Sequence, residues 1–147
     1  MKKIQLILYI TTALLVLTAC SKEDDIDEIF VGRTWYMNGI VINGITSSEG
    51  TKNFYKETGT NSYFITFSAN TFQGKLSSNA TFSGTWKADG KHQTITLHLQ
   101  EKPDTDLLFD KQLLNILSNV DTYISGADFM HLNDNNHNTI RFGTIRY

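Results

Sequence analysis

From Phe30 onward, the pattern of this 147-residue chain is mostly period two, apolar side chains alternating with polar ones. Ile95, Leu97 and Leu99 alternate with Thr94, Thr96 and His98. Tyr63, Ile65 and Phe67 alternate with Phe64 and Thr66; Phe82, Gly84 and Trp86 with Thr81, Ser83 and Thr85; Met130 and Leu132 with Phe129 and His131. Successive side chains of a β-strand point to opposite faces, so a period of two marks strands with one buried face. Further strands are read at 33–37, 72–76 and 140–142. Asp89-Gly90 between two of these runs is expected to supply the positive φ of a tight hairpin, and the polar run 133–138 to form the last turn. The fold class is mainly β (α+β): an antiparallel meander curled into a small barrel or a twisted sheet, with one amphipathic helix.

That helix is predicted over about 106–119. Phe109, Leu113, Ile116, Leu117 and Val120 recur at helical spacing, with Asp110, Lys111, Gln112, Asn115 and Ser118 on the other face. Asp104 and Asp106 precede it and are read as cap and dipole partners of its first turn rather than as a catalytic carboxylate pair. The stretch 46–62, rich in Ser, Thr, Gly and Asn but holding Phe54 and Tyr55, reads as the longest irregular segment and as either a surface loop or a binding loop.

The start of the chain carries a different message. Lys2 and Lys3, a mostly apolar stretch from 4 to 16 and small residues before Cys20 make the three parts of a secretory leader. The apolar stretch is shorter than the roughly 20 residues a membrane-spanning helix needs. Leu17-Thr18-Ala19-Cys20 matches the bacterial lipobox, in which the cysteine receives lipid. The resemblance implies several acyl chains on Cys20, and more than one chain makes anchoring stable. Ser21-Lys22-Glu23-Asp24-Asp25 resembles the surface-export signal of Bacteroides-group lipoproteins; a solvated acidic tether is the plainer alternative. The expected organisation is a signal peptide over 1–19, a lipidated acidic tether over 20–29 and a β-rich domain over 30–147. The expected location is the outer membrane, lipid-anchored and facing the cell surface.

Charge and cysteine content narrow the function. The whole chain has 13 basic and 15 acidic side chains. Five of the acids fall between 20 and 29, so the body from Phe30 onward is balanced. A balanced body offers no broad basic field for nucleic acid. Cys20 is the single cysteine, so no disulfide forms within the chain, and a thiolate metal site or cysteine nucleophile is excluded.

Tyr123-Ile124-Ser125-Gly126-Ala127-Asp128-Phe129-Met130-His131-Leu132, then a polar turn and Thr139-Ile140-Arg141-Phe142, resembles the end of the META domain of small bacterial envelope lipoproteins. Phe30-Val31-Gly32-Arg33-Thr34-Trp35 resembles its opening strand, and Gly74 to Trp86 its central strands. The chain departs from that family where Ser78 stands beside Asn79 in place of a cysteine. Lipocalin-like lipoproteins of the Bacteroides group have similar spacing. Both resemblances imply a small β-rich fold with a helix, and neither implies an enzyme.

His131-x-x-Asp134-x-x-His137 is a weak metal candidate, since two imidazoles and a carboxylate suit zinc; a solvated hairpin tip explains the same residues. Asp134, Asn136 and Asn138 imitate the first calcium-loop ligands, but the loop glycine and terminal Glu are missing. No nucleophile elbow, phosphate loop or dinucleotide fingerprint is present. Asn79-Ala80-Thr81 is a glycosylation sequon by pattern only. Trp35, Trp86, Tyr63, Phe67 and Phe82 are expected to point inward, either filling the core or lining an apolar cup. The reading is therefore a non-enzymatic lipoprotein without a cofactor, an interaction or structural module of the envelope whose partners are the membrane and an envelope protein. The alternative is a lipocalin-like binder of a small apolar or sugar ligand.

Overall fold

The computed structural model describes residues 23–56, 62–77 and 80–144. The leader, Cys20, Ser21, Lys22 and Asn79 lie outside the described residues. In chain order the elements are α1 (Ile26–Phe30), β1 (Thr34–Ile42), β2 (Ile45–Thr46), α2 (Ser48–Lys56), β3 (Phe64–Phe67), β4 (Thr71–Lys75), β5 (Thr81–Asp89), β6 (Thr94–Glu101), α3 (Leu108–Ser118), β7 (Val120–Ser125), β8 (Phe129–Asp134) and β9 (Thr139–Gly143).

β1 and β3 to β9 pair antiparallel in sequence order, and β9 returns to pair with β1, closing an eight-stranded barrel. β2 is an extra strand hooked onto β1. The inward alternation anticipated in the sequence sets the register, because slipping by one residue would turn the apolar set to solvent. Trp35 stands opposite Ile65, Trp86 opposite Leu97, and Met130 opposite Phe142. Phe72 lies opposite Gly84 and Phe82 opposite Gly74, so each ring has a neighbour without a side chain. The five aromatics expected inside are all buried.

Helices cover both ends. At one end α2 and α3 meet: Phe54, Tyr63 and Phe109 stack edge-to-face with centroids 5.2 to 5.9 Å apart. The stretch 46–62 is thus not wholly irregular. Ser47 caps α2, its Oγ accepting from the Gly50 amide at 3.0 Å, and Phe54 drives the helix onto the barrel mouth. At the other end α1 inserts Phe30, which is fully buried among Phe67, Trp86 and Tyr123, each centroid 5.1 Å away. The chain then turns at Gly32 (φ 76°), whose amide donates to the Phe67 carbonyl. Residues 24–30, read from sequence mostly as tether, are seated on the barrel.

Three local expectations are corrected. Asp110 is not on the polar face of the helix; it is fully buried. Its carboxyl oxygens accept from Ser77 Oγ at 2.6 Å and Tyr63 OH at 3.0 Å, which satisfies the group where it lies. Asp104 and Asp106 do not cap α3, which starts at Leu108 behind an N-cap Leu107 with no side-chain cap bond. Thr105 Oγ1 instead accepts from the Leu107 amide at 3.2 Å. In the β5–β6 connection the positive φ falls on Gln93 (53°), not on Gly90.

Phe30 closes its end of the barrel by contact with three rings, so truncating it leaves a cavity that those rings cannot collapse into. Phe30→Ala is expected to cost about 3–5 kcal/mol, measured by denaturant unfolding. A loss under about 1 kcal/mol would mean that α1 is not part of the core.

Candidate functional site

The acidic segment and the barrel end beneath it form the most constrained polar arrangement near a residue with predicted chemistry. Asp25 is the N-cap of α1, its Oδ1 accepting from the Glu28 amide at 3.1 Å. Asp24 is held from three directions. Its amide donates to the Gly90 carbonyl at 3.3 Å, and its Oδ2 accepts from Tyr123 OH at 3.0 Å and from Gln93 Nε2 at 3.1 Å. The Gln93 carbonyl in turn accepts from the Tyr123 amide at 3.0 Å, so one residue ties the segment and β7 together. Burial, then the Asp24 carboxylate, push the Tyr123 phenol well above its ordinary range, which keeps it protonated and donating.

Gly90 serves this clasp rather than the hairpin turn. A Cβ there would collide with the Asp24 carbonyl oxygen. Arg33 adds a strut from β1's entry, donating to the Ala127 carbonyl at 2.8 Å. A cleft of about 290 Å³ lies between these parts, lined by Glu23, Asp25, Glu28, Arg33 and Gly126 among others. Of the acids in the export-signal motif, Asp24 and Asp25 carry structural bonds, and Glu23 is exposed. The sequence placed these acids but did not foretell the clasp. Tyr123 alternating inward was the one available signal.

The weak metal candidate is not assembled. His131 and Asp134 point to opposite faces of β8, His131 half-buried outside and Asp134 buried. Asp134 Oδ1 accepts from the Asn136 and Asn138 amides at 2.8 and 2.9 Å, and Oδ2 from Asn138 Nδ2 at 2.8 Å. Asn138 Oδ1 accepts from the Asn43 amide, joining this turn to the β1–β2 turn. His137 is exposed at φ 60°. Asp134 and His137 belong to the hairpin tip, as do the calcium-loop mimics Asn136 and Asn138, whereas His131 lies within β8. Among the described residues no three His, Cys, Asp or Glu side chains cluster to hold a metal ion.

Two histidines sit in opposite electrostatic settings. His131 faces Arg141 across the β8–β9 pair, and desolvation, then that guanidinium, lower its pKa. His92 sits 2.7 Å from the Asp89 carboxylate, whose hydrogen bond raises the imidazole and lowers the carboxyl.

The interior is occupied by side chains. Trp35, Tyr123, Phe30, Phe67, Phe82 and Phe142 are fully buried within it. Trp86 Nε1 donates to the Ser68 carbonyl at 2.8 Å, whereas Trp35 Nε1 is buried without an acceptor among the described residues. A groove of about 800 Å³ opens on the outside, between Ser77, Thr81, Glu101 and the 102–107 connection. Its walls carry both charge signs, and Glu101 is already engaged by Ser83 Oγ at 2.7 Å.

A closed antiparallel barrel with a filled interior and helix-covered ends defines a small β-barrel class. Within that class, the chain belongs to the DUF4847 family, a domain of unknown function, whose family model matches residues 21–143. The family model does not bear out the META name read from residues 30–147; the 123–142 stretch that headed that resemblance lies in the β7–β8–β9 meander. A crystal structure of a DUF4847 family protein from Bacteroides vulgatus has a TM-score of 0.68 at 23% identity, covering 83% of this chain and 99% of that one. An NMR structure of a protein from Burkholderia xenovorans has a TM-score of 0.55 at 15% identity, covering 88% and 94%. No curated protein matches the chain. The likenesses to solved structures establish the fold.

The histidine environments give a pH signature. By NMR titration His131 should titrate below the ordinary 6.5 and His92 above it. Protonating His131 works against the fold, so its contribution is present above 6.5 and lost as pH falls through the lowered value. The His92 contribution has the opposite sign: present below 6.5 and lost as pH rises through the raised value, and small because the pair is exposed. Arg141→Ala should move the His131 titration upward; an unmoved titration would contradict the β8–β9 register.

Proposed function

We propose that this protein is a non-enzymatic envelope lipoprotein, anchored through lipid on Cys20 in the outer membrane and facing the cell surface. Its barrel acts as an interaction or structural module. The observation that carries the second half of the reading is the filled interior: a barrel whose core is occupied by Trp35, Phe67, Phe82 and Phe142 holds its shape without a ligand. The first half rests on the lipobox at 17–20 and the acids that follow it. No cofactor or nucleic-acid role is part of the reading.

The lipocalin-like alternative has one observation in its favour. Among the described residues the buried Trp35 indole N–H has no acceptor, and a bound acceptor would satisfy it. A filled interior weighs more, because a ligand there must displace packed side chains.

The anchor is tested by metabolic labelling. The wild-type chain should incorporate palmitate and Cys20→Ala should not; equal labelling would refute acylation at Cys20. Surface exposure is tested on intact cells with external protease. Glu23→Gln, Asp24→Asn and Asp25→Asn remove the negative charges yet keep acceptor oxygens for Tyr123, Gln93 and the Glu28 amide, so the domain still folds. The triple variant should be protected from protease while the wild-type domain is cut. Identical cutting of both would remove the export role of these acids.

A further inference from the structure

We infer that the α1 end of the barrel is its membrane-facing surface, held close to the bilayer by a leash of only four residues, with the α2–α3 end presented outward. The inference rests on the anchoring reading above and adds an orientation to it. The partner is a lipid surface, and the surface that meets it is formed by Glu23, the 90–93 connection and the 126–128 loop.

Three observations on the structure carry it. First, Asp24 is bonded to Gly90, Gln93 and Tyr123, all at one end of the barrel. Second, Phe30 is fully buried a short distance downstream, so the segment between them cannot pay out as slack chain. Third, Cys20 is four residues from Asp24. An extended chain spans at most about 3.6 Å per residue, which limits the leash to about 14 Å. Had residues 20–29 been a free tether, the reach to Phe30 would be about 36 Å, enough to let the barrel tumble. Strands of eight or nine residues rise about 3.3 Å per residue, so the far end lies well beyond the leash when the barrel stands on its α1 end.

The chemistry of this end fits a surface held by its anchor alone. Glu23, Asp24, Asp25, Asp27 and Glu28 are gathered there with Asp89 and Asp128, against Arg33, Lys91 and His92. Such an acidic face gains nothing from anionic headgroups. Without acylation it has no attraction to the bilayer, so the acyl chains fix the position and the clasp fixes the orientation.

The test uses mature acylated protein reconstituted in phosphatidylcholine vesicles carrying a headgroup-attached quencher. With Cys20 blocked by acylation, a single introduced cysteine is the only free thiol for a fluorophore. Lys91→Cys marks the α1 end and Asn136→Cys the opposite end; both residues are exposed. Quenching at 91 should exceed quenching at 136 several-fold. Gly90→Val, which forces the Asp24 backbone away from the hairpin, should lengthen the leash and bring the two signals together. Equal quenching in vesicle-bound protein with an intact clasp, or stronger quenching at 136, would overturn the orientation while leaving the anchor standing. Protein with no acyl mass on Cys20 and no vesicle binding would instead overturn the anchoring reading, and the orientation with it.

Discussion

The insertion of Phe30 into the barrel mouth is the contact on which the rest depends. Eight short strands closed into a cylinder leave two open ends, and each must be covered if the apolar interior is to stay dry. The α2–α3 end is covered by helices that the chain makes between strands, so chain connectivity keeps them there. The α1 end is covered by a segment from outside the barrel, entering before β1. It is held by the ring contacts of Phe30, the packing of Ile26, Ile29 and Val31 against the core, the Val31 bridge and Gly32 amide on Phe67, and the Asp24 clasp. Removing the Phe30 contact weakens the core and the seat of the segment together.

The segment 24–32 is thus part of the folded domain. Its acids satisfy backbone and side-chain donors of the folded domain, and its start lies next to the lipobox. Asp24 and Asp25 are therefore not simply solvated charge. Substitutions that delete their oxygens remove hydrogen bonds of the folded domain, and substitutions that only neutralise them keep those bonds.

Much of the fold was legible because a barrel wall is written in local alternation. Ile95-Thr96-Leu97 or Met130-His131-Leu132 says which face is inside without knowledge of any partner strand. The helix 108–118 was legible from its apolar spacing. What escaped were features set by contacts distant in sequence. Asp110 looked like a solvent-facing helix residue because its partners, Tyr63 and Ser77, come from other elements. Gly90 looked like a turn glycine because its real constraint, the Asp24 carbonyl, lies 66 positions upstream. α2 was obscured by its polar composition, although Ser47 at its start and Phe54 within it were available signals. Asn43-Gly44, with positive φ at both residues, makes the β1–β2 hairpin and was the plainest turn signal in the chain. Of the candidate site, the acids were visible in sequence and their anchoring partners were not.

The segment 24–32 folds as one unit with the barrel. Native-state hydrogen exchange tests it most directly, through the amides of Ile29, Val31 and Gly32, which donate to Asp25, Asp27 and Phe67 carbonyls. If α1 is a true end-piece of the core, these amides exchange only through global unfolding, with the same free energy as the strand amides of β5 and β8. Exchange of 29–32 at the rates of an unstructured peptide, while the strands stay protected, would contradict it.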